Sequence, residues 1–64
     1  MSEKLITSVR VFVRQEDKNM YVFWFYTDQS VDYVSQGGEK NTGMPLSYAE
    51  ALIHSIAEFG FVEV

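Results

Sequence analysis

The sequence predicts an α+β domain: a three- to four-stranded, mainly antiparallel sheet in the order β-β-β-α-β, with one helix packed on one face. Three observations lead there. Apolar residues alternate at period two near the N-terminus, a run of β-forming aromatics follows, and one later stretch spaces its apolar residues as a helix does. With 64 residues, the chain holds one domain, spanning 1–64.

In the first strand, residues 4–14, Leu5, Thr7, Val9, Val11 and Val13 alternate with Ile6, Ser8, Arg10, Phe12 and Arg14. The polar run Gln15–Lys18 is a turn. The second strand, 19–27, is centred on Met20-Tyr-Val-Phe-Trp-Phe-Tyr26, which is apolar on both faces. Thr27 to Ser30 is a tight turn, and residues 30–36 alternate again. Residues 37–45, with Gly37, Gly38, Gly43 and Pro45, have the composition of a loop. Ser47 with Glu50 reads as a capping box opening the helix. Ala49, Leu52, Ile53, Ile56 and Phe59 share one helical face, and Gly60 suits the position just past the helix end. Residues 61–64 form a short strand, placed beside the first strand and parallel to it.

A two-residue turn pairing Thr27 with Ser30 sets the faces of the sheet. Arg14 then lies opposite Asn19, and one face collects Val9, Val11, Val13, Met20, Val22, Trp24, Tyr26, Val31 and Tyr33, with Trp24 opposite Tyr33. The helix is expected to cover that face. The other carries Ile6, Arg10, Phe12, Arg14, Tyr21, Phe23, Phe25, Asp32, Val34 and Gln36, and one helix cannot cover both. A one-residue slip would regroup the residues. The expected partner-binding set is Arg10, Phe12, Arg14, Tyr21, Phe23, Phe25, Asp32 and Val34, an aromatic patch with arginines at its rim. The bland alternative folds the 37–45 loop or the tail over this patch.

Charge and composition narrow the function. Five Lys and Arg against nine Asp and Glu give −4, with no cysteine, so disulfides and thiolate metal sites are excluded. Residues 1–26 carry +1 and residues 41–64 carry −3, too thin a basic set for duplex binding. No apolar run approaches the roughly 20 residues of a membrane span. Met1 to Lys4 lacks the basic start and apolar stretch of a signal peptide, so a cytoplasmic protein is expected. Glu50, His54 and Glu58 line the polar side of the helix, a solvated stripe rather than a metal site. No serine sits in a nucleophile elbow and Gly37-Gly38 lacks phosphate-loop spacing, so no enzyme activity and no cofactor are expected.

The expectation is therefore a small inhibitor or regulatory adaptor that binds another protein, or a second copy of itself as a homodimer, through the aromatic sheet face or a sheet edge. Small proteins encoded by phage and mobile elements are typical holders of this size and composition. The alternative is a single-strand nucleic-acid binder that stacks bases on the same aromatics.

Overall fold

A computed structural model describes residues 3–64; Met1 and Ser2, part of the leader reading, lie outside the described residues. The chain runs β1 (Ile6–Arg14), β2 (Met20–Tyr26), β3 (Ser30–Ser35), β4 (Lys40–Pro45), α1 (Leu46–Glu58) and β5 (Phe61–Glu63). The expected α+β class and antiparallel sheet are present, but the sheet has five strands rather than three or four, in the order β4-β3-β2-β1-β5.

From Ser8 to Val13 the β1–β2 register is the expected one, with Val13 opposite Met20, Val11 opposite Val22 and Val9 opposite Trp24; a shift between Ser8 and Ile6 then puts Ile6, rather than Thr7, opposite Tyr26. The next hairpin differs. Gln29 takes φ 67° and its amide donates to the Tyr26 carbonyl at 3.0 Å, closing a three-residue loop over Thr27, Asp28 and Gln29. The Asp28 carboxylate accepts from the Ser30 amide at 3.0 Å and fixes this turn. The extra loop residue shifts β3 by one position against the two-residue turn expected. Phe23 now faces Tyr33, Phe25 faces Val31, and Trp24 faces Asp32.

Residues 37–45 are not a long loop. A second three-residue turn, closed by Gly38 at φ 92°, leads into β4, which pairs with β3. The register shifts between Val31/Met44 and Tyr33/Asn41, so β4 carries one extra residue. Gly43 takes φ 71° at this bulge, and its amide donates to Asp32 Oδ1 at 2.9 Å instead of to the ladder.

The unforeseen β4 also reverses β5. With three strands before the helix, the chain returns parallel to β1; with four, it returns antiparallel. β5 does pair with β1 as expected, but antiparallel, with Val13 opposite Val62 and Arg14 opposite Phe61.

The helix starts two residues earlier than the capping box implies. Pro45, the last residue of β4, is its N-cap, and no side chain caps it. Proline needs no amide partner at the first turn, and its fixed φ of −63° already suits the entry. Gly60, at φ 97°, ends the helix as expected, and its amide donates to the Ala57 carbonyl at 3.2 Å.

The helix covers the face opposite to the one expected. Phe12, Phe23, Val31, Tyr33, Met44, Ala49, Ile56 and Phe61 form the buried core, and Tyr21, Phe25, Leu46, Leu52 and Ile53 pack against it. The register slip brings Val31 and Tyr33 to the side of Phe12 and Phe23, concentrating the aromatic volume there. The Phe23 ring lies 5.8 Å from Phe12, edge to face, and 5.4 Å from Tyr33, stacked. Ala49 and Ile56 of the expected helix stripe are buried, whereas Phe59 is 68% exposed at the C-cap.

Candidate interaction face

The residues predicted for partner binding divide between the two sides of the sheet. Phe12 and Phe23 are buried at 4% and 0% exposure, and Tyr21 and Phe25 pack against the core beside them. Their assignment to an open face is corrected: the helix residues Ala49 and Ile56 are buried in one cluster with Phe12 and Phe23, so theirs is the helix-covered side. Arg10 and Arg14 share that side, at its rim. Arg10 forms a two-point ion pair with Glu63, Nη2 to Oε1 at 2.7 Å and Nε to Oε2 at 3.0 Å. Arg14 pairs with Asp17 at 2.6 Å, and its guanidinium lies 4.7 Å from the centre of the Phe61 ring. Asp32 and Val34 are the two predicted residues that the structure puts on the open face.

That face is built from the alternating positions of all five strands, and the backbone pairing arranges it in three rows. The central row crosses the whole sheet: Lys40 opposite Val34, Val34 opposite Val22, Val22 opposite Val11, and Val11 bonded to Val64 through the Val64 amide at 3.0 Å. On one side lie Met20, Val13 and Val62 in register. On the other lie Asp32, Trp24 and Val9. Valine and tryptophan suit a pleated strand, so strand formation and an apolar face come from the same residues. Val9, Val62 and Val64 are exposed, and Val11, Val13, Val22, Trp24 and Val34 are half-buried, shielded by one another rather than by a second layer.

The face holds little charge. Asp32 is held in place, accepting from the Tyr26 hydroxyl at 3.0 Å through Oδ2 and from Gly43 through Oδ1. The hydrogen bond to Asp32 pushes the Tyr26 phenol above its ordinary range, with burial adding to the effect. At this corner Trp24, Tyr26, Asp32, Val34 and Lys40 border a shallow hollow of about 340 Å³.

The sheet edges differ. On one edge, β4 is interrupted by the Gly43 bulge and ends in Pro45, features that do not template another strand well. On the other, the three-residue β5 pairs only with Phe12–Arg14, so the backbone of β1 from Ile6 to Arg10 has no strand beside it on that side.

The remaining chemistry is sparse. Glu50, His54 and Glu58 are all exposed. Among the described residues, no group of three or more His, Cys, Asp or Glu is placed to hold a metal ion, and no helix is long and apolar enough to cross a membrane.

The Arg10–Glu63 pair ties β5 to β1, and it carries a pH dependence. Its hydrogen bonds hold the Glu63 carboxyl below the usual carboxylate range; the Asp17 carboxyl is held down by Arg14 and that of Asp28 by Ser30. A carboxylate that binds its proton less tightly when folded stabilises the fold above its unfolded pKa, about 4. That contribution disappears as pH falls through the lowered folded value. Glu63→Gln is therefore expected to lower stability slightly at neutral pH, to leave it unchanged below the lowered folded value, and so to flatten the acid limb of the stability curve. Urea denaturation at a series of pH values checks this.

Sequence reasoning missed Met44 as a core residue and Val22 and Trp24 as surface residues. The period-two pattern does separate the two faces, but nothing local says which one the helix takes. The chain matches no family model, no curated protein and no solved structure.

Proposed function

We propose that the chain is a small non-enzymatic protein-binding domain, an inhibitor or adaptor acting in the cytoplasm, whose contact surface is the open sheet face. The observation that carries this reading is the unbroken apolar row Val34, Val22, Val11 and Val64 across a sheet with only one side covered by a helix. Contiguous exposed apolar surface of this kind marks interaction sites on small domains. Trp24 beside the row supplies the type of large anchor that dominates binding energy.

Two observations disfavour base stacking on the predicted aromatics. The aromatics it needs lie in or against the core, and Arg10 and Arg14 are paired with carboxylates.

A photoreactive side chain placed at Val11 or Val34 is expected to yield protein adducts in cells. The same group at Glu58, on the exposed side of the helix, is expected to yield none. Adducts confined to Glu58 would overturn the reading.

A further inference from the structure

We infer that the occupant of the open face is a second copy of this chain, giving a four-layer dimer ordered helix, sheet, sheet, helix. The inference rests on the proposed reading of the face and names its partner.

Charge is the first argument. Each copy carries −4, so two copies repel unless they meet where few carboxylates lie. Of nine acidic side chains, the three rows of the open face hold Asp32 alone, already bonded to Tyr26 and Gly43. A two-fold pairing there brings no uncompensated row of like charges together.

Geometry is the second. Twisted sheets stack face to face about 10 Å apart with strands within about 30° of each other, so that side chains interdigitate. Valines flanking one tryptophan make a low relief suited to this, and the face that would be buried is the one left without a layer.

Area is the third. Five strands about 4.8 Å apart, read over about six residues at about 3.3 Å, give a projected face on the order of 450 Å². Pairing two removes on the order of 900 Å² before side-chain relief is counted, below the roughly 1,200 Å² of a standard specific interface and in the range of weak, transient ones. The association is therefore reversible and concentration-dependent, not obligate. A chain this short also gains most from a second core, since about 40% of its unfolded surface stays wet when it folds alone.

Sedimentation equilibrium from low micromolar to millimolar protein tests this. The mass is expected to rise from 7.4 kDa toward twice that value, and further with added salt, which screens the repulsion between copies. Trp24 is the only tryptophan, so its emission is expected to shift to the red on dilution as the face becomes wet. Val22→Lys is expected to weaken association about tenfold or more while the circular dichroism spectrum stays unchanged. Should that variant fail to fold, the milder pair Val22→Thr and Val34→Thr keeps shape and strand propensity and carries the same expectation.

A mass fixed at 7.4 kDa throughout would overturn the dimer and leave the face available to another protein. A dimer untouched by a folded Val22 variant, with Trp24 emission independent of concentration, would overturn both the dimer and the proposed use of this face. A dimer that dissociates as salt is added would mean that ion pairs hold it, and the inference would be wrong.

Discussion

Replacing Phe23 with alanine is expected to unfold the chain, whereas alanine at the adjacent Val22 is expected to leave it folded. Both residues lie in the central strand, and their side chains point to opposite sides of the same sheet. Phe23 is fully buried, against Phe12 on one side and Tyr33 on the other. Phenylalanine to alanine at such a site costs about 3–5 kcal/mol, from lost transfer free energy and the cavity left behind. A single core of this size supplies about the same amount in total. Nothing nearby can collapse into the space, because the sheet backbone forms its floor and the helix its roof. Val22 has no layer above it in the single chain. Its truncation loses part of the contact with Val11 and Val34 and some strand propensity, about 1 kcal/mol or less. Urea denaturation at low protein concentration separates the two: no cooperative transition for Phe23→Ala, and a near-native midpoint for Val22→Ala. The reverse order would mean that the helix covers the valine face.

The contrast between these neighbours also marks how far the sequence could be read. Strict alternation in β1 and the run Met20 to Tyr26 specify two strands and their pairing, and the polar turn between them is short enough to leave one register. The helical spacing of Ala49 and Ile56 and the stop at Gly60 are equally local. What failed was set by single backbone conformations that the residue types do not advertise. Gln29 adopts a left-handed φ that glycine or asparagine would have signalled, and that one residue changes the face of everything in β3. β4 is hidden because Gly43 and Pro45 lower its strand propensity. It forms because β3 offers an open edge, because Met44 fills the core, and because Asp32 accepts the amide that the bulge removes from the ladder. The candidate site inherits both errors. That one sheet face stays uncovered follows from counting helices, and Asp32 and Val34 do lie on it. Phe12, Tyr21, Phe23 and Phe25 do share one side, as the β1–β2 register implies; the turn read a residue too short kept Val31 and Tyr33 from them, and no local signal says which side the helix takes.

Phe61→Ala is the second large effect expected, and it links the core to the open face. β5 has three residues, too few for its ladder alone to hold it against β1. Its anchor is the Phe61 ring, buried edge-on against Tyr21 with centres 5.1 Å apart and covered by the Arg14 guanidinium. Truncation is expected to cost about 3 kcal/mol, the lower end of the range for a buried aromatic, because a chain end relaxes more easily than a central strand. Phe61→Leu, which keeps most of the volume, is expected to cost about half as much or less. The loss should not stay local. Once β5 detaches, the Arg10–Glu63 pair breaks and the Val64 amide no longer reaches the Val11 carbonyl. Amide exchange at Val64 is then expected to approach the rate of an unstructured chain while β2 and β3 keep a reduced but measurable protection. Val62 and Val64 also leave the open face, which narrows from five strands to four. A fold held together this way predicts that Phe61→Ala weakens self-association as well as stability, although Phe61 lies on the opposite side of the sheet from any partner. Equal loss of protection in every strand would show instead that β5 unfolds only with the whole domain.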